Sequence, residues 1–254
     1  MAEGIARVCL QRKLDIVLLA GSPDRAEALR DRVLPSAHGA NVSVGADRLG
    51  GCSFLVEATV ESLEAKRPAL EAAERALPET ALMASTTSSL SITELASGLR
   101  FPERFLGLHF FNPATRMKLV EVVAGIRTTQ EAMERGCAFA EALGKVPVRV
   151  KDRAGFLVNR LLIPYLNEAA RLAEANLATP EEIDTAMQLG TAHPMGPFGL
   201  IDLIGADVCL AIGRALFDEY HGIAHAPSPE LRRRVALGLL GRKSGRGYYA
   251  SPER

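Results

Sequence analysis

No tryptophan occurs in the 254 residues, and aromatic side chains make up only 5% of them. A platform on which the bases of single-stranded nucleic acid would stack is therefore missing. Net charge is also absent: thirty Lys and Arg balance thirty Asp and Glu, so no global field favours nucleic acid or a membrane surface as a partner. Cysteine is scarce. Cys9, Cys52, Cys137 and Cys209 form no CxxC pair and no zinc spacing, which predicts reduced, buried thiols and no metal site. Neither a membrane-length apolar run nor a secretory signal is present, and the expected compartment is the cytoplasm. What is there is an ordinary globular composition, 48% hydrophobic and 24% charged, on a chain long enough for one or two domains.

The first 150 residues alternate between strand and helix patterns. A helix over 1–13 is followed by a strand in DIVLLA (15–20), then by a helix over 22–34 with Ser22 as N-cap and Pro23 at its first position. NVSVG, CSFLVEATV (52–60) and ALMAST (81–86) read as further strands, with a helix over 61–77 and a short one in SITELASGL. Such alternation implies an α/β fold, a doubly wound, mostly parallel sheet with its ligands at the carboxyl ends of the strands. Strand patterns stop near 150–154. The rest is helical, beginning with GFLVNRLLIPYLNEAARLAEA, apolar nearly all round and expected to be the buried centre of a second domain. After HPMGP a single long helix is expected. The predicted domains are 1–151 and 152–254.

The densest chemical signal is residues 104–124, RFLGLHFFNPATRMKLVEVVA. One apolar run ends in His109, a turn-like FFNP follows, and a second run places Glu121 among Leu119, Val120, Val122 and Val123. A carboxylate in a strand of β-branched residues is costly without a partner. If the two runs pair antiparallel, His109 and Glu121 lie opposite one another, about 4.5–5.5 Å apart at Cβ. They then form either a carboxylate-oriented general base or a satisfied structural pair. Further candidates around them favour the first reading.

Asn159 shares a helix face with Phe156, Ile163 and Leu166 and needs hydrogen-bond partners, from a site or from a neighbouring helix. Ser88, in the hydroxyl cluster STTSSL, follows a strand and is placed to donate to a substrate oxygen, while Ser89 or Ser91 reads as a helix cap before Glu94. Glu57, Glu61 and Lys66 follow another strand; their plain alternative is a solvated helix start. Lys243, in GRKSGRGYY, is a cation within reach of a phosphate or ribose, or simply a solvated tail residue.

Taken together, VEATVESLEAK, STTSSLSIT, GLHFFNPATRMKLVEVV, DRAGFLVNRLL, HPMGPFGLIDLIG and GRKSGRGYY resemble the 3-hydroxyacyl-CoA dehydrogenase family, in particular its 3-hydroxybutyryl-CoA dehydrogenase branch. The resemblance covers most of the chain and is dense from residue 82 onward. It implies a Rossmann-like NAD domain and an all-α C-terminal domain that makes a homodimer. On the same resemblance His109 falls on the catalytic histidine, Glu121 on its paired glutamate, and Ser88 and Asn159 on the substrate-side hydroxyl and amide. Glu61, Lys66 and Lys243 match positions around the dinucleotide, with Ser88 shared between cofactor and substrate.

The chain departs from the family in its first third. MAEGIA aligns with the end of the family's glycine loop, so the first strand and the opening GxGxx are missing, as in an N-terminally truncated reading. Loss of a central strand is expected to expose apolar edges on both of its neighbours. The acid expected after the second strand is replaced by Ala20 and Gly21 with Ser22 and Arg25 nearby, which leaves NADP open beside NAD. About twenty residues join DIVLLA to NVSVG, too few for the helical excursion that helps relatives hold CoA. The substrate is thus expected to be a short-chain 3-hydroxyacyl thioester of CoA or of an acyl-carrier protein. A non-catalytic member that has lost its cofactor is the alternative from another class.

Overall fold

The computed structural model describes residues 1–250, which divide into two compact units, the first Met1–Arg153 and the second beginning at Ala154. The first unit opens with α1 (Ala2–Gln11), β1 (Ile16–Leu18), α2 (Pro23–Val33) and β2 (Val42–Val44). It continues with β3 (Phe54–Glu57), α3 (Leu63–Ala76), β4 (Leu82–Ser85) and α4 (Ile92–Ala96). It closes with β5 (Phe105–Phe110), β6 (Leu119–Ala124), α5 (Gln130–Ala142) and β7 (Val146–Lys151). Local chemistry sets the helix starts: the hydroxyls of Ser22, Ser62, Ser91 and Thr129 each accept from a backbone amide three residues on, satisfying one of the orphan donors of the first turn.

Among the described residues the strands form two sheets rather than one. β1 and β2 pair in parallel, and a separate five-stranded sheet runs β3-β4-β5-β6-β7, parallel except for the antiparallel contact of β5 with β6. β4 and β5 are buried at every residue, whereas the first three residues of β3 are only half-buried. The two edges expected to be left open by a missing strand are those of β1 and β3. Each sheet has its own core. Leu82, Leu106, Leu108, Val120 and Val122 anchor the larger one with α5, and Ala6, Leu10, Leu18 and Val33 anchor a smaller one under β1 and β2.

The second unit is helical: α6 (Val158–Glu174), α7 (Pro180–Thr191), α8 (Pro197–Ile204), α9 (Ala206–Tyr220) and α10 (Pro229–Ala236). Ile163, Leu166, Phe198, Ile201, Cys209 and Leu216 form its core. α6 runs unbroken through Pro164. It is amphipathic rather than buried all round: Ile163 is 1% exposed and Leu161 70%. The single long helix expected after HPMGP is two helices. Gly205 stands between them at φ 106°, a conformation that side chains beyond glycine disfavour, so α8 ends and α9 restarts even though the apolar pattern continues. The thiols are free as expected, and Cys9, Cys137 and Cys209 are buried, but Cys52 is half-buried.

Candidate active site

The antiparallel register of β5 and β6 pairs Gly107 with Val123, Leu108 with Val122, His109 with Glu121 and Phe110 with Val120. The small residue at 107 permits this close approach, because a Cβ there would meet Val123 Cβ at 2.9 Å and Ile92 Cδ1 at 2.8 Å. His109 Nδ1 lies 2.5 Å from Glu121 Oε2, with Glu121 0% and His109 4% exposed. A carboxylate taken this far from water is stabilised by a short hydrogen bond to a ring N–H. That bond fixes which imidazole nitrogen carries the proton. The ring of Phe111, 4.7 Å away between centroids, packs on the imidazole.

A second polar group stands at the carboxyl ends of β3 and β4, where a doubly wound sheet places ligands. Here the solvated helix start considered for Glu57 and Lys66 does not hold. Both are buried, with Lys66 Nζ 3.1 Å from each Glu57 oxygen and 3.3 Å from the Thr59 carbonyl. Glu57 also accepts from Ser85 Oγ at 2.5 Å and from the amide and hydroxyl of Thr59.

Glu61 extends the same group. Its Oε1 accepts from Thr87 Oγ1 at 2.6 Å, the Ser88 amide at 2.7 Å, and the amide and hydroxyl of Ser89, while Oε2 lies 3.4 Å from Lys66 Nζ. Burial alone would raise its pKa, but these hydrogen bonds and the Lys66 charge outweigh it and hold Glu61 below the usual carboxylate value. The structure thus joins Lys66, Glu61 and the Ser88 backbone into one network.

Two residues not singled out in the sequence hold the surrounding loops. Asp152, just past β7, accepts from Ser91 Oγ, the Ile92 amide and the Thr93 amide, capping α4 from sixty residues away. Lys145 is buried and donates to the carbonyls of Ala114 and Met117 in the loop between β5 and β6. Burial, then the Arg12 charge, lowers its pKa. Neither role carries a local sequence signal, since each partner is remote in the chain. Ser22, considered beside Arg25 for a ribose phosphate, spends its hydroxyl capping α2.

The remaining candidates belong to the second unit. Asn159 is buried on the face of α6 that carries Ile163 and Leu166. Lys243 pairs with Asp207 in the first turn of α9. The tail that bears Lys243 is fastened by Asp202, whose oxygens accept from the Tyr248 and Tyr249 amides. Among the described residues no group of three His, Cys, Asp or Glu is arranged to hold a metal ion, and no helix is long and apolar enough to cross a membrane.

Comparison with known proteins locates this geometry. The model of the 3-hydroxyacyl-CoA dehydrogenase NAD binding domain matches residues 35–153, and that of the C-terminal domain of the same family matches 155–251. A probable 3-hydroxybutyryl-CoA dehydrogenase of Bacillus subtilis is 43% identical over 201 residues, covering 79% of this chain and 70% of the relative. A probable 3-hydroxybutyryl-CoA dehydrogenase of Deinococcus radiodurans is 38% identical over 266 residues, covering 98% of this chain and 96% of the relative. The crystal structure of M. tuberculosis FadB2 superposes with a TM-score of 0.94 at 36% identity, covering 99% of this chain and 95% of that one.

Proposed function

The chain belongs to the 3-hydroxyacyl-CoA dehydrogenase family, and from that premise we propose that it is an NAD-dependent dehydrogenase interconverting a short-chain 3-hydroxyacyl-CoA and its 3-oxoacyl-CoA. The observation that carries the reading is the 2.5 Å hydrogen bond between His109 Nδ1 and Glu121 Oε2 across directly paired strands. With Nδ1 committed to Glu121, proton transfer runs through Nε2. In oxidation Nε2 takes the proton of the C3 hydroxyl, and Glu121 stabilises the imidazolium that forms. In reduction the same nitrogen returns it. The Ser88 hydroxyl and the Asn159 amide orient the oxygen on C3.

NAD, when bound, would supply the nicotinamide that accepts the hydride leaving C3 of the substrate. The residues present fit it. Glu61, Lys66 and Ser88 stand at the carboxyl ends of β3 and β4, and α1 has no side chain on its first-turn amides, which leaves donors suited to an anion. Lys243 of the second unit is assigned to the same cofactor. Substrate carrier, assembly and location complete the proposal: CoA rather than an acyl-carrier protein, a homodimer through the second unit, and the cytoplasm. One observation favours a second reading. The open edges of β1 and β3 interrupt the sheet that would support the dinucleotide, as in a member that has lost its cofactor.

Purified protein assayed with acetoacetyl-CoA and either NADH or NADPH separates the readings. Consumption of NADH that is lost in His109→Gln supports the proposal. A folded protein that binds neither nucleotide by calorimetry overturns it in favour of the second.

A further inference from the structure

Carboxylates hold the loop that joins β4 to α4. Ser85 Oγ donates to Glu57 at 2.5 Å, Thr87 Oγ1 and Ser89 Oγ to Glu61 at 2.6 and 3.1 Å, and Ser91 Oγ to Asp152 at 2.7 Å. An ionised carboxylate only accepts, so each of these four hydroxyls has its proton committed. Ser88 differs from them. Its amide donates to Glu61 at 2.7 Å, but among the described residues its hydroxyl has no hydrogen-bond partner. The backbone is thus pinned on both sides of this hydroxyl, and the hydroxyl itself is left for a ligand.

The two anchors act differently. Every bond from Glu61 to the loop converges on one atom, Oε1, and holds residues 87–89. One acceptor atom fixes a point and leaves the loop able to turn about it. Asp152 supplies a second point. Its Oδ1 accepts from the Ile92 amide at 3.0 Å, and its Oδ2 from Ser91 Oγ at 2.7 Å and the Thr93 amide at 2.8 Å. Asp152 is itself tied to the five-stranded sheet, since its amide donates to the Ala124 carbonyl at the end of β6. Only Leu90 separates the two held segments, and its amide is bonded to Thr87 Oγ1 at 2.9 Å. With both points fixed, the loop cannot pivot. A misplacement of about 1 Å at a reacting centre costs about 10²-fold in rate. We propose that Asp152 is a positioning residue of the reaction, which holds the Ser88 hydroxyl toward the C3 oxygen by fixing Ser91, Ile92 and Thr93. The inference rests on the dehydrogenase reading and on the part that Ser88 has in it.

The test is a double-mutant cycle in the full chain, read as kcat with acetoacetyl-CoA and NADH for the parent, Asp152→Asn, Ser88→Ala and the double variant. Asp152→Asn keeps the size of the side chain but sets an amide donor against the Ser91 and Thr93 donors. It is expected to lower kcat roughly tenfold or more. In the Ser88→Ala background the same change is expected to cost less than about twofold, because the group it positions is already gone. A purely structural role would cost the same factor in both backgrounds, and that result overturns the proposal. Unchanged kcat in Asp152→Asn overturns it as well. Should Asp152→Asn fail to fold, Ser91→Ala removes one strut from the other side and enters the same cycle, with a smaller fall in kcat and the same dependence on Ser88. A parent without turnover would instead sink the dehydrogenase reading, and this inference with it, whereas an active parent whose two sites are independent sinks this inference alone.

Discussion

Lys66 and Glu57 form a buried ion pair, with the ammonium 3.1 Å from both carboxylate oxygens and each side chain at most 3% exposed. The pair joins the first turn of α3 to the end of β3 and is linked through Glu61 to the loop that carries Ser88. Such a pair adds little when intact, because desolvation offsets attraction, but removing one partner strands the other charge.

Glu57→Gln and Lys66→Met are each expected to lower stability by about 3–5 kcal/mol, read from urea denaturation. The double variant Glu57→Leu with Lys66→Met is expected to recover part of that loss. Single variants as stable as the parent would show that the charges reach water in solution.

His109→Gln is expected to reduce kcat about 10²–10⁴-fold while leaving the melting temperature nearly unchanged, since the glutamine amide still donates to Glu121. Glu121→Gln removes the negative charge that stabilises the imidazolium and, because an amide can donate as well as accept, no longer fixes the ring tautomer; a loss of about 10²-fold or more is expected. Steady-state assays with acetoacetyl-CoA read both, and near-parental turnover in either would remove that residue from the proton path.

Glu61 has a folded-state pKa below its unfolded value of about 4.3. Its contribution to stability is therefore complete above the unfolded value and is lost as the pH falls through the folded one. Glu61→Gln is expected to be less stable than the parent near neutrality and to lose less on acidification below about pH 4.3. Urea midpoints across that range decide it; parallel curves would mean that Glu61 titrates alike in both states.

The thiols are expected to divide by burial. Desolvation pushes Cys9 up to about 11 and Cys209 up to about 12, and Cys137 is buried. Cys52 is raised by burial too but is only half-covered. Iodoacetamide near neutral pH followed by mass spectrometry should label Cys52 well ahead of the other three. Comparable labelling of Cys209 in folded protein would contradict the packing of α9.

What the sequence disclosed depended on how local the cause was. An acid inside a β-branched run made Glu121 conspicuous, and the hydroxyl caps at Ser22 and Ser91 act over three residues. The family resemblance added the open edges of β1 and β3. The break at Gly205 stayed hidden because apolar residues keep their spacing on both sides of it, so periodicity alone could not tell one helix from two. The burial of Glu57 with Lys66 was ambiguous because nine residues and a turn separate them. Asp152 gave no sign of capping α4, since its partners come together only when β7 and α4 have docked.

α1 stands between two cores: Ile5, Val8 and Cys9 pack under the five-stranded sheet, and Ala6 and Leu10 under β1 and β2. Since among the described residues no strand bonds one sheet to the other, cooperativity within this unit is divided. The segment made of β1, α2 and β2 can unravel as a sub-global step that leaves the β5–β6 pairing intact. Limited proteolysis would then nick residues 13–45 first, while the histidine–glutamate pair keeps its native geometry in the fragment that remains.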